Sequence, residues 1–114
     1  MKELERILKV LADKNRMRII KLLERKKLCV CEIAFVLGIK QPSASRHLKK
    51  LKEAGILKEE QESFWTNYLL KSSHDNHVLR SLLSSAKTWL TNDPQITKDL
   101  KKLRQANRNN LCCR

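Results

Sequence analysis

Residues 41 to 57 read Gln41-Pro42-Ser43-Ala44-Ser45-Arg46-His47-Leu48-Lys49-Lys50-Leu51-Lys52-Glu53-Ala54-Gly55-Ile56-Leu57. Ala44, Leu48 and Leu51 recur at i, i+4 and i+7, which is one apolar stripe of a helix. Pro42 stands where a first helical turn tolerates proline, and Gly55 closes the run. Because the stripe claims one face, Ser43, Arg46, His47 and Lys50 share another. Such a face suits a DNA groove. Arg46 can make a bidentate contact to guanine, Ser43 can donate or accept near the helix start, and Lys49, Lys50 and Lys52 can neutralise phosphates. The expected reading helix spans 41–54, and its DNA-binding set is Gln41, Ser43, Ser45, Arg46, His47, Lys49 and Lys50.

Working outward, Ile33, Ala34 and Leu37 form a short helix closed by Gly38. Two helices joined by three or four residues around a glycine make a helix-turn-helix. On the other side, Leu57 to Glu62 and Phe64 to Leu70 read as two strands of a hairpin, a wing over 57–70. Upstream, Leu4, Ile7, Leu8 and Leu11 mark a helix over about 3–12, and Ile19, Ile20, Leu22 and Leu23 mark another from Asn15 to Glu24. Downstream, Val78, Leu79, Leu82, Leu83, Ala86 and Leu90 give a fifth helix. Asp93-Pro94 caps a sixth that carries Ile96, Leu100 and Leu103. The expected fold is mainly α with a β-hairpin, a winged helix-turn-helix in the order α-α-α-α-β-β-α-α, filling residues 1–114 as one domain.

The sixth helix has a narrow apolar stripe and a charged back of Lys98, Asp99, Lys101, Lys102 and Arg104. Such a stripe must be buried somewhere, and four helices already make the core. A homodimer is therefore expected, built from the first helix and the C-terminal helices of 76–107. The tail, 108–114, carries Cys112 and Cys113.

Composition agrees with a nucleic-acid partner. In 114 residues, 25 Lys and Arg face 12 Asp and Glu, a formal charge of +13, which in a protein of this kind points to a polyanion, with double-stranded DNA foremost. Hydrophobic residues, at 41%, suffice for one modest core. Apolar runs are as short as Ala34-Phe35-Val36-Leu37, and Met1-Lys2-Glu3 opens no signal-like segment, so no membrane role and a cytoplasmic location are expected. In that reducing compartment, cysteines placed as C-x-C and as an adjacent pair read as ligands or redox thiols, not as a disulfide framework. With no C-x-x-C on a βαβ unit, no Ser/His/Asp constellation and no Gly-rich phosphate loop, an enzyme is not expected.

The stretch Leu28-Cys29-Val30-Cys31-Glu32-Ile33 poses a geometric problem. Inside a helix, residues two apart stand ~200° round the axis from each other, so two thiols could not grip one ligand. Cys29 and Glu32, however, have the frame of a capping box, with Cys29 at the N-cap and Glu32 at the third helical position. A cap residue keeps non-helical backbone angles, which frees Cys29 to share a point with Cys31. The positive end of the helix should also lower the thiol pKa and favour soft ions.

Three stretches together resemble the arsenic-repressor (ArsR/SmtB) family of winged-helix metal sensors over roughly residues 4–90. They are Leu11-Ala12-Asp13-Lys14-Asn15-Arg16-Met17-Arg18-Ile19-Ile20-Lys21-Leu22-Leu23, Leu28-Cys29-Val30-Cys31-Glu32-Ile33-Ala34 and Gln41 to Leu57. The resemblance implies a homodimeric repressor that sits on a palindromic operator and leaves it when a toxic metal or metalloid binds. It also implies arsenite held by three thiolates, the third commonly one helical turn beyond the Cys-Val-Cys. Here that position is Ala34, so the third sulfur falls to Cys112 or Cys113, of the same chain or of its mate. The expected metal set is Cys29, Cys31, Cys112 and Cys113, with As(III) or Sb(III) as inducer. A Cd(II)- or Pb(II)-responsive repressor and a thiol-redox-sensing repressor stay open as alternatives. Related sensors hold zinc with an Asp-x-His and a His-x-x-Glu pair; Asp75-Asn76-His77 matches the first, but the second falls on Thr88 and Thr91. Family wings carry arginines and glycine, whereas Lys58-Glu59-Glu60-Gln61-Glu62-Ser63-Phe64 would repel phosphates, so no wing-tip contact is expected.

Overall fold

The apolar periods of the sequence become six helices and three strands among the described residues, which are 1–72 and 76–106 of the computed structural model. In chain order these are α1 (Lys2–Leu11), α2 (Lys14–Leu23), β1 (Leu28–Cys29), α3 (Val30–Leu37), α4 (Gln41–Glu53), β2 (Leu57–Glu62), β3 (Trp65–Leu70), α5 (His77–Ala86) and α6 (Pro94–Leu103). Local chemistry sets the boundaries. The Asp13 side chain accepts from the Arg16 N–H at 3.0 Å and so starts α2, while Asp93 Oδ1 accepts from the Gln95 and Ile96 N–H groups and starts α6.

The turn of the reading motif depends on Gly38, whose φ of 70° is left-handed, a conformation that costs an L side chain. Ile39 N–H donates to the Ala34 carbonyl at 3.1 Å and Gly38 N–H to that of Phe35 at 3.2 Å. This Schellman closure stops α3 and leaves three residues before α4. Gly55 (φ 81°) ends α4 in the same way, with Ile56 N–H donating to the Leu51 carbonyl at 3.0 Å. The chain is thereby turned into the wing.

The sheet is antiparallel throughout, in the order β1-β3-β2, with Leu57 opposite Leu70 and Glu62 opposite Trp65. Ser63, at φ 54°, makes the tip. Strand β1 is an addition to the expected pattern: Leu28 pairs with Tyr68 and Cys29 with Asn67. Two residues are too few to leave a period in a sequence, yet Leu28 is fully buried there. Ile7, Ile19, Ile20, Ile33, Leu48, Leu51 and Ile56 complete the centre of the core, each side chain contributing about 1.5–3 kcal/mol of apolar burial.

The C-terminal helices differ from expectation. α6 does find a partner within its own chain, because it packs on α2 and α3 with Ile96 and Leu103 buried. Asp99 belongs to that buried face and not to the charged back. Its carboxylate takes two hydrogen bonds from Arg18, Nε to Oδ2 and Nη2 to Oδ1, both 2.8 Å, and a third from Gln95 Nε2 at 2.9 Å. An acidic residue reads as polar surface in any periodicity, so a buried ion pair reverses its assignment. α5 ends at Ala86, four residues before Leu90, which lies outside it with a left-handed φ of 60°. Among the described residues no helix is long and apolar enough to cross a membrane.

Candidate DNA-reading and thiol site

On α4 the buried stripe is Ala44, Leu48 and Leu51. Counting ~100° per residue from it, Arg46 and Lys49 stand opposite, Ser43, His47 and Lys50 on one flank, and Ser45 on the other. Gln41, Ser45, Arg46, Lys49 and Lys50 are exposed, while Ser43 and His47 are half-buried. The Arg46 Nη2 donates to Ser43 Oγ at 3.1 Å, which holds the guanidinium across the helix start.

His47 is tied into the protein. Arg16 Nη1 lies 3.3 Å from its Nδ1, and the same guanidinium donates through Nε to the Val10 carbonyl at 2.6 Å. Nδ1 therefore acts as acceptor for Arg16, and the ring proton belongs on Nε2. Burial lowers the His47 pKa below the ordinary 6.5; Asp13 opposes this, while Arg16, Lys50 and Arg46 add to it. His47 thus joins α4 to α2 as a neutral ring with one edge left for a ligand.

The wing is less acidic in effect than in sequence. Lys52 Nζ sits 3.3 Å from the Glu59 carboxylate, and Lys27 is paired with Glu60. Glu59 and Glu60 are thus neutralised from α4 and from the loop before β1. Phe64 at the tip is 72% exposed.

At the start of α3 the expected cap frame is present. Cys29 is the N-cap with extended angles (φ −88°, ψ 168°), Glu32 is the third helical residue, and its Oε1 accepts from the Cys29 N–H at 3.0 Å. The Glu32 backbone N–H faces the Cys29 sulfur in return. Sulfur is a weak acceptor, so the carboxylate arm is the stronger half of the box. Cys31 is the second residue of the helix, 9% exposed, and Gln41 Nε2 donates to its Sγ at 3.3 Å. The Cys31 sulfur is disulfide-bonded in this structure, which departs from the expectation of free thiols, and it can serve as a ligand only once reduced.

The thiol pKa departs from expectation. Cys29 keeps its thiol and is 2% exposed, and burial pushes its pKa above the usual 9.0, with the Glu32 carboxylate adding to the rise and the Glu32 and Cys31 backbone N–H groups opposing it. Desolvation outweighs the helix terminus here because the side chain is buried and stands beside the Glu32 carboxylate. Cys29 is therefore a protonated, shielded donor, available to a strongly thiophilic ion before an ordinary electrophile.

Cys112 and Cys113 lie outside the described residues, as do Asp75 of the zinc pattern and residues 107–114 as a whole. Among the described residues no three His, Cys, Asp or Glu side chains gather closely enough to hold a metal ion. Cys29 and reduced Cys31 supply two soft donors at one helix start, which fits part of a thiophilic site. Thr88 and Thr91 donate their hydroxyls to the backbone carbonyls of Ser85 and Thr88, and Asn76 caps α5 through the Leu79 N–H. The two threonine hydroxyls and the Asn76 amide oxygen therefore serve the local backbone.

The comparison with known proteins agrees with this geometry. The profile described as "Bacterial regulatory protein, arsR family" matches residues 13–59, from the cap of α2 to the middle of β2. An arsenic resistance transcriptional regulator of Pseudomonas putida is 37% identical over 91 residues, covering 76% of this chain and 71% of that protein. The chain belongs to the arsR family of bacterial regulatory proteins. A second member, the arsenical resistance operon repressor of Escherichia coli, is 42% identical over 65 residues, 56% of each chain. The homodimeric winged helix-turn-helix domain of a possible ArsR-family regulator from Mycobacterium bovis superposes with a TM-score of 0.63 at 24% identity, covering 75% of this chain and 76% of that one. That likeness establishes the winged helix-turn-helix fold. As an arsR-family member the chain is a DNA-binding transcriptional regulator and not an enzyme.

Three connections escaped the sequence: Arg18 to Asp99, Arg16 to His47, and Gln41 to Cys31. Each joins residues 10 to 81 positions apart. The single available signal was Asp13-Lys14-Asn15-Arg16, a cap followed three residues later by a cation.

Proposed function

We propose that this arsR-family regulator is a metalloid-responsive repressor. It binds double-stranded operator DNA as a homodimer through Gln41, Ser43, Ser45, Arg46, His47, Lys49 and Lys50, and it is released when As(III) or Sb(III) engages cysteine sulfurs. The observation that carries this is the placing of Cys29 and Cys31 at the N-terminus of α3, whose other end is three residues from the reading helix. Cys29 is also the backbone partner of Asn67 in the wing. Holding the two sulfurs on one ion would disturb the Cys29 cap, the first turn of α3 or the β1 pairing, all of which meet at Cys29. Each of these supports α4 or the wing, so Arg46 and Ser43 would lose register with the groove. A third thiolate is assigned to Cys112 or Cys113.

The homodimer is supported by the apolar residues α1 leaves outside the core: Leu4 and Leu8 are exposed while Ile7 and Leu11 are buried. Asn76 Nδ2 donates to Glu3 Oε1 at 3.0 Å, so α5 begins beside α1, and half-buried Val78 and Leu82 extend the same region. Two copies meeting there would set two α4 helices for two half-sites.

The test is a count of reactive thiols per chain in fully reduced protein, with and without stoichiometric arsenite, in wild type and in a variant with Cys112 and Cys113 both changed to Ser. Three thiols should be protected in wild type and two in the variant. Protection of none would end the metalloid reading, and the same assay with cadmium, lead or peroxide would then name the effector.

A further inference from the structure

Positive charge gathers on α1 beside the reading helix. Lys2, Glu5, Arg6 and Lys9 recur at i, i+3, i+4 and i+7, which makes them one stripe of α1. With Arg16 of α2 and Lys50 of α4 they line a depression of about 600 Å³. Five cations thus meet one carboxylate among its described lining residues. Glu5 is held by Lys9 at 2.8 Å, in a pair more than half exposed on both sides, and such a surface pair is weak. The guanidiniums are fixed in place. Arg6 Nη1 donates at 3.4 Å to the carbonyl of Glu53, the last residue of α4. Arg16 donates to the Val10 carbonyl at 2.6 Å and to that of Lys9 at 3.4 Å, with the Asp13 carboxylate 3.8 Å away.

The surroundings of the depression point to its partner. Lys50 lies on the flank of α4 that carries Ser43 and His47, and Arg16 Nη1 is 3.3 Å from His47 Nδ1, so the basic rim continues the reading face. Leu4 and Leu8, assigned above to the homodimer contact, stand roughly half a turn of α1 away from Lys2 and leave the depression open. In the wing, by contrast, Lys52 and Lys27 are engaged with Glu59 and Glu60. We propose that the Lys2, Arg6 and Lys9 face of α1, with Arg16 and Lys50, is a backbone clamp that takes DNA phosphates beside the groove read by α4, in place of the wing. The clamp rests on DNA binding by α4 and needs no inducer. Phosphate contacts fix position and carry no sequence information, so the clamp adds affinity and salt dependence to every site alike. Glu5 tempers it, because a phosphate must take Lys9 from that carboxylate.

The test uses a DNA fragment selected from a random pool by the wild-type protein, with binding followed by fluorescence anisotropy across a salt series. A triple variant with Lys2→Ala, Arg6→Ala and Lys9→Ala should lower the log–log salt slope by about 2 or more per dimer, since each phosphate left without its cation removes ~0.9. Its preference for the selected fragment over random DNA should stay as in wild type. A second triple variant, with Lys98→Ala, Lys101→Ala and Arg104→Ala on the exposed back of α6, makes the same change in net charge and should leave the slope as it is. Equal slope changes in the two variants would show that net charge alone acts, and an unchanged slope in the α1 variant would show a merely solvated face; either overturns the proposal. Glu5→Gln, at an exposed position, gives a signal of opposite sign that loss of folding cannot imitate. It frees Lys9 and should tighten DNA binding about threefold or more, with a steeper salt slope. Unchanged or weaker binding in E5Q would overturn the clamp, and E5Q decides if the α1 triple variant does not fold. Wild type that selects no fragment would overturn DNA binding by α4, and the clamp with it.

Discussion

Asp99→Ala should be the most destabilising single change outside the apolar core, costing about 3–5 kcal/mol of folding free energy. The carboxylate is 3% exposed in its side chain and accepts three hydrogen bonds, two of them from an Arg18 that is itself 11% exposed. Removing it takes the opposite charge away from a buried guanidinium, which keeps the neutral acceptors Asn15 Oδ1 and the Leu37 carbonyl. For a domain of this size each kcal/mol moves the melting temperature by ~4–8 °C, so thermal unfolding of reduced protein should shift down by ~15 °C or more. A joint change to Arg18→Met and Asp99→Leu should recover most of the stability, because apolar side chains of similar volume carry no desolvation penalty. A shift under about 1 kcal/mol for D99A would mean that the pair behaves as a surface ion pair and that α6 is not locked to α2.

Arg46→Ala should have the largest effect on DNA. Arg46 is exposed opposite the buried stripe of α4 and steadied by Ser43 Oγ. A bidentate guanine contact discriminates by ~1–3 kcal/mol, and a dimer makes it twice, so the selected fragment should bind ~30-fold more weakly or worse. Sequence preference should relax at that base pair while the salt dependence changes little. Lys49→Ala and Lys50→Ala should do the reverse, weakening all sequences alike and lowering the log–log salt slope by ~0.9 for each phosphate left without its cation. Fluorescence anisotropy across a salt series separates the two patterns. If R46A lowers the slope and leaves the sequence preference intact, Arg46 is a phosphate contact and the base reader lies elsewhere on α4.

The elements legible in the sequence were those with a complete period. Ala44, Leu48 and Leu51 announced α4, Gly38 and Gly55 announced its borders, and both were found with left-handed backbone. The cap frame of Cys29 and Glu32 was also legible, since a capping box is local. What stayed hidden depended on burial or distance. The two residues of β1 pair with a strand far along the chain, Asp99 reads as surface until Arg18 reaches it, and the thiol pKa of Cys29 was expected low because a helix terminus is local information. Burial is not, and it decides the sign. The paired glutamates of the wing follow the same rule, because Lys27 and Lys52 come from other elements.

In the proposed mechanism one chain holds DNA and a thiophilic ion in opposition. Titration of arsenite into the reduced protein bound to its selected DNA fragment, alongside a variant with Cys29→Ser and Cys31→Ser, measures this opposition. Wild type should be released, with its DNA dissociation constant raised about tenfold or more, while the double variant stays bound at every arsenite concentration. Release of both proteins alike, or of neither, would contradict the opposition of the two sites.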